Sequence, residues 1–86
     1  MKKEIKELRS QGKKLAPLAR IGKNGLTMGV VKQIDALLEE RNLVKIKLLK
    51  SSMTQKDKEK FIEEIVMKTR SQLVDSVGNV IVLYRS

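Results

Sequence analysis

Midway along the chain the spacing of apolar residues switches from a helical to an extended period. From Thr27 to Arg41, Val30, Val31, Ile34, Leu37 and Leu38 recur along one wide helical stripe. Lys32, Gln33, Asp35, Glu39 and Glu40 face water. From Leu43 to Lys50 the pattern alternates. Val44, Ile46 and Leu48 point one way; Lys45 and Lys47 point the other, beside Leu43 and Leu49. Helical and extended segments alternating along the chain point to a two- or three-layer α/β domain.

The flanking segments extend that layout. Lys3 to Lys14 reads as a helix with Ile5, Leu8, Gly12 and Leu15 near one face and Lys6, Arg9 and Lys13 on another. Gly12 weakens its last turn. Pro17 stops it and pushes Ala16 to an extended conformation, so Leu18 to Ile21 is a short strand. Thr54 to Arg70 is a further helix, with Phe61, Ile62, Ile65 and Val66 on its buried stripe and Thr69 at its end. Thr54 and Asp57 fit a capping box with Asp in the place of Glu. Gln72 to Val77 and Val80 to Arg85 are strands around a Gly78-Asn79 turn, an antiparallel hairpin. Val80 to Leu83 is apolar without alternation, which suits a strand buried on both faces. The expectation is one compact α-β-α-β-α-β-β domain over residues 1–86. Helix crossovers pair the first strands in parallel, and the terminal hairpin makes the sheet mixed.

Between the first strand and the second helix stands Arg20-Ile21-Gly22-Lys23-Asn24-Gly25-Leu26-Thr27. Thr27 is a good N-cap, so the free amides of the helix start point back toward the glycines. Lys23 adds a full charge beside that partial positive end. Such a place suits a phosphate, and it lies at the carboxyl end of a strand, where open α/β sheets put their ligands. Asn-Gly is also the commonest two-residue hairpin turn, but nothing after Gly25 alternates, so the loop joins a strand to a helix. From spacing alone a purely structural turn stays open beside the phosphate site. Gly29, in the helix's first turn, costs about 1 kcal/mol relative to alanine. It either lets something approach or packs against the sheet.

Composition narrows the function. Lys+Arg is 19 against Asp+Glu 10, a formal +9, which favours a polyanionic partner, nucleic acid above all. Aromatics are 2%, Phe61 and Tyr84, too few for stacking single-stranded bases, so contacts fall on phosphates and sugars. With no histidine and no cysteine, histidine-based acid–base chemistry, the usual nucleophilic dyads, zinc sites and disulfides are excluded. Asp35 and Glu39 are spaced to share a divalent ion, yet read as solvated surface. Gly-Lys-Asn-Gly lacks the Gly-Lys-Ser/Thr ending of a P-loop. The reading is a non-enzyme without cofactor, metal or small-molecule substrate. No apolar run is long enough to cross a bilayer, and no signal-peptide pattern is present, so the expectation is a cytoplasmic protein, monomeric by default.

Ile-Gly-Lys-Asn-Gly-Leu-Thr at 21–27, Leu-Val-Lys-Ile-Lys at 43–47 and Val-Leu-Tyr-Arg at 82–85 together resemble the CRM domain (chloroplast RNA splicing and ribosome maturation), called YhbY-like when it stands alone. The resemblance runs from about Leu8 to Arg85. It implies a mixed four-stranded sheet with three helices, similar to the C-terminal domain of translation initiation factor 3. It also implies RNA binding: stand-alone members are linked with precursors of the large ribosomal subunit, and multi-copy plant members with group II intron splicing. The family's Gly-x-x-Gly loop matches Gly22-Lys23-Asn24-Gly25 and is similar to that of KH domains, where it joins two helices instead. Many members carry a small-residue segment with glycine after the third helix; Lys68-Thr69-Arg70-Ser71 stands there in this chain.

These observations lead to an RNA-binding module for structured RNA, ribosomal RNA during assembly in particular. Gly22, Lys23, Asn24, Gly25 and Thr27 form the expected site. Arg20, Lys45 and Lys47, with Lys6, Arg9 and Lys13 of the first helix, extend the positive surface. The alternative is a basic docking module for an acidic protein partner. A membrane-surface binder ranks last, because the first helix has few large apolar residues.

Overall fold

The computed structural model describes residues 4–22, 26–49 and 55–86. Its elements are α1 (Ile5–Lys14), β1 (Ala19–Ile21), α2 (Met28–Arg41), β2 (Leu43–Leu48), α3 (Gln55–Thr69), β3 (Gln72–Val77) and β4 (Val80–Tyr84), in the order expected. Lys3, Lys50 and Thr54, on which the expected ends of the first helix and second strand and the capping box rest, lie outside the described residues. One four-stranded sheet runs β1-β2-β4-β3. β1 and β2 are parallel, and β4 is antiparallel to both its neighbours.

The sheet is covered on both faces. On one, Ile34 and Leu38 of α2 and Phe61 and Ile65 of α3 pack over Ile21, Val44, Ile46, Leu48, Ile81 and Leu83. On the other, Leu8 of α1 sits on Val74 and Val82, with Leu43 and Tyr84 around them. β4 therefore feeds both clusters, as its unbroken apolar run suggests. Ile34, Leu38, Ile46, Ile65, Ile81 and Leu83 are 0% exposed, and each such side chain contributes about 1.5–3 kcal/mol by leaving water. Gly12 does more than loosen a helix turn: a Cβ there would stand 3.1 Å from Val82 Cγ1. Its absence lets α1 lie close on the sheet.

The end of α3 shows how the chain manages without the glycine that the resemblance leads one to expect. Arg70 takes a left-handed φ of 53°. Its N–H donates to Met67 O (3.4 Å) and that of Ser71 to Val66 O (3.1 Å), the paired bonds of a Schellman motif. Thr69, 1% exposed, donates its hydroxyl to Ile65 O (2.6 Å), which leaves Ser71 Oγ as donor to Thr69 Oγ1 (2.8 Å). A non-glycine residue in this region is strained by roughly 1–2 kcal/mol. Arg70→Gly should therefore raise stability by about 1 kcal/mol in urea unfolding, since part of the relief is offset by the freer unfolded glycine. A loss of stability would mean that the Arg70 side chain contributes more than its backbone costs.

A second long-range tie closes the far end of the sheet. Arg85 Nη1 binds Asp35 Oδ1 and Thr69 O (2.8 Å), while Nη2 binds Asp35 O (2.9 Å) and Glu39 Oε2 (3.3 Å). Asp35 and Glu39 are thus the carboxylate partners of this guanidinium. The Arg85 N–H also donates to Asn42 O (2.9 Å), and Asn42 Nδ2 returns a bond to Arg85 O (2.8 Å). The arginine side chain is 19% exposed, but the carboxylates are 57% and 83% exposed, so solvent screens the ion pairs. The backbone carbonyls carry more of the effect. Arg85→Ala should cost about 2 kcal/mol in thermal or urea unfolding and Asp35→Ala less than about 1 kcal/mol. Equal losses would shift the weight to the ion pair.

A candidate nucleic-acid interface

The glycine loop leaves the sheet at Ile21 and returns at Leu26. Ile21 is buried, and its carbonyl accepts from Leu49 N (2.8 Å). Leu26 packs against the main core from the other side. Both ends of the loop are therefore fixed. Lys23, Asn24 and Gly25 lie outside the described residues. Thr27 caps α2 as expected, its Oγ1 accepting from Val30 N (3.2 Å). The amides of Met28 and Gly29 open the helix with no acceptor inside it.

The described glycines divide by what requires them. Gly78, at φ +57°, makes the hairpin turn, and Gly12 gives α1 its close approach to Val82. Gly22 answers to neither demand. Its backbone is not left-handed, and a Cβ would meet nothing within 4 Å among the described residues. Gly29 is exposed, where Gly22 is half-buried, and its nearest neighbour would be Thr27 Oγ1 at an ordinary 3.9 Å. Of the two readings of Gly29, packing against the sheet is excluded. Among the described residues, nothing packs where a Cβ at Gly22 or Gly29 would stand, one just before the loop and one in the first turn of α2.

The basic side chains fall into two groups. Arg20 and Lys47 are register partners across β1 and β2, on the α1 face of the sheet, and both are exposed. Lys45 follows on the same face of β2, half-buried, and its Nζ donates to Leu15 O (3.1 Å). This group adjoins the end of β1, where the loop begins. Lys6, Arg9 and Lys13 share a flank of α1, and Arg9 Nε donates to Val74 O of β3 (3.0 Å). β1 and β3 are opposite edges of the sheet, roughly 14 Å apart at three strand spacings. Arg9 is therefore set apart from the Arg20 row, while Lys13, at the other end of α1, approaches Lys45.

Between the two groups lies a feature that sequence reasoning missed. A groove of about 310 Å³ opens beyond Gly12, floored by Val77, Val80 and Val82 and walled by Lys13, Lys45 and Asp75. Asp75 reaches it through an irregularity in β3. Leu73 pairs with Leu83 and Asp75 with Val82, so Val74 is an extra residue. Strict alternation would have put Asp75 opposite Ile81, facing the main core. The bulge turns both Val74 and Asp75 to the α1 face.

Among the described residues, no group of three or more His, Cys, Asp or Glu could hold a metal ion, and no helix is long and apolar enough to cross a membrane.

A chain with this mixed four-stranded sheet and three helices matches the CRS1 / YhbY (CRM) domain over residues 1–85. The chain belongs to that family, one of binding domains and not of enzymes. It is 40% identical over 83 residues to the "Probable RNA-binding protein YqeI" of Bacillus subtilis, covering 96% of this chain and 84% of that one. It is 32% identical over 80 residues to the "Probable RNA-binding protein PA4753" of Pseudomonas aeruginosa, covering 93% and 75% respectively. The solution structure of the hypothetical protein SAV1595 from Staphylococcus aureus superposes with a TM-score of 0.81 at 38% identity, covering 95% of this chain and 83% of that one.

Proposed function

We propose that this protein binds structured RNA, ribosomal RNA or precursors of the large ribosomal subunit during assembly, and that the Gly22–Gly25 loop with the start of α2 holds its phosphates. The observation that carries the reading is a pair of glycines, Gly22 and Gly29, where no described residue would meet a Cβ and neither φ is left-handed, on either side of a lysine-bearing stretch at a helix N-terminus. A glycine that neither turns the chain nor packs makes sense where an outside group comes close to the backbone. Helix amides and Lys23 then supply donors and charge for a phosphate. Asn24 hydrogen-bonds a base edge or a 2′-hydroxyl. Arg20, Lys47 and Lys45 continue the contact along the sheet, Lys13 adjoins Lys45, and Lys6 and Arg9 lie further along α1. The names of the B. subtilis and P. aeruginosa relatives support RNA as the partner. The family resemblance supports the ribosomal target. Structured RNA is favoured over single strands because Phe61 is buried in the core and Tyr84 is half-buried, so neither offers a stacking platform.

Lys23→Asp with Asn24→Asp tests the loop. Two negative charges replace the expected phosphate contacts, while turn preference and the helix start both tolerate acid. Affinity for a folded ribosomal RNA fragment should fall at least about tenfold, and stability should change by less than about 1 kcal/mol. Normal melting with undiminished binding would reduce the loop to a turn. Gly29→Ala tests the helix start separately. It should stabilise the protein by up to about 1 kcal/mol and weaken RNA binding. A stabilised variant with unaltered affinity would remove the first turn of α2 from the interface.

A further inference from the structure

The groove on the α1 face of the sheet has the size and chemistry of a site for one nucleotide. Its volume of about 310 Å³ is at the low end of the roughly 300–1,000 Å³ of small-molecule pockets. A helix with its side chains, about 10–12 Å across, does not fit such a space. The floor is aliphatic, and Val77 is 67% exposed although it sits on a sheet. Lys13 of α1 and Lys45 of β2, whose Nζ also donates to Leu15 O, bring positive charge to the groove wall. An apolar floor beside cations suits an anion with a flat body, and a nucleotide is both.

Asp75 narrows the identity further. A bare phosphate site has no use for a carboxylate. This one is half-buried, and its recorded bond is from Ser76 N to Oδ1 (3.0 Å). Its remaining lone pairs are acceptors only. Among the nucleobases, guanine alone presents two adjacent donors on its Watson–Crick edge, N1–H and the N2 amine, matching the two oxygens of a carboxylate. Adenine and cytosine set a donor beside an acceptor, and uracil sets its one donor between acceptors. The β3 bulge is what brings Asp75 to the groove, and bulges recur where a side chain must be re-aimed.

We infer that this groove binds an unpaired guanosine of the RNA, the base lying on Val77, Val80 and Val82, its Watson–Crick edge on Asp75, and its phosphates beside Lys13 and Lys45. The site rests on the RNA-binding reading but is separate from the glycine loop. It gives a protein without stacking aromatics a means of selecting one base in an otherwise phosphate-dominated contact.

The test uses the full chain and RNA hairpins that differ in one unpaired nucleotide: guanosine, inosine or adenosine. Guanosine should bind at least about tenfold tighter than adenosine, with inosine between them because it lacks the N2 amine. In Asp75→Asn the preference should shrink below about threefold. In the Lys23/Asn24 double variant, all three hairpins should weaken alike, with the preference kept. Methyl NMR of Val77, Val80 and Val82 with guanosine 5′-monophosphate reads the groove without any RNA. Shifts with this nucleotide, but not with adenosine 5′-monophosphate or inorganic phosphate, support the site even if no hairpin binds, a result that would count against the loop reading alone. Equal affinity for guanosine and adenosine hairpins overturns the inference. So does a guanosine preference unchanged in Asp75→Asn, or methyl shifts that follow protein concentration instead of nucleotide and so report a second copy on this face.

Discussion

The structure depends on a strand that needs cover on both faces. β4 lies between β2 and β3 and carries apolar residues on both faces. Either face left open would expose a run of valine, isoleucine and leucine to water, so a helix layer is needed on each side. α2 and α3 supply one. On the other face α1 is the only helix among the described residues, and it reaches its seat because Gly12 has no side chain to hold it off Val82. α1 is too short to cover that whole face. The part it leaves bare becomes the groove and the Arg20–Lys47 row. The groove and this row are thus the uncovered remainder of a layer that the core requires.

This division of labour also separates stability from recognition. Arg85, the most deeply engaged cation, is spent on fastening α2 and the end of α3 to the last strand. Arg9 is partly committed to the Val74 carbonyl, and Lys45 to that of Leu15. Arg20 and Lys47 are exposed. A formal charge of +9 overstates what an RNA can contact, since part of it is already used inside the fold.

Much of the architecture was legible because it is written in local periods. The change from helical to alternating spacing after Arg41, the Thr27 cap, the Gly78-Asn79 turn and the unbroken apolar run of β4 are short-range signals. What escaped depends on distant partners. Asp35 and Glu39 look like ordinary solvated carboxylates until Arg85, some fifty residues on, is placed between them. Gly12 reads as a weak helix residue until Val82 lies beneath it. Leu73, Asp75 and Val77 alternate as if on one face, and nothing local announces that Val74 is an extra residue. Arg70 takes a conformation its own type disfavours, held by the buried Thr69 and the bonds around it. The candidate site was legible in its glycines and lysines; its aspartate was not.

The place of β4 in the chain bears on how the protein comes into being during synthesis. A growing chain emerges from its N-terminus, and here the middle of the sheet is made last. While residues up to 77 are out, β2 has only the short β1 beside it, and β3 has no strand partner at all. β3 and β4 then pair locally as a hairpin, whereas β4 reaches β2 across a long sequence separation, as in Val44 with Leu83, and such contacts are the slower to form. The β1–β2 pair can form across α2 beforehand, but the join between β2 and β3, and with it the groove floored by Val77, Val80 and Val82, waits for residues 80–84.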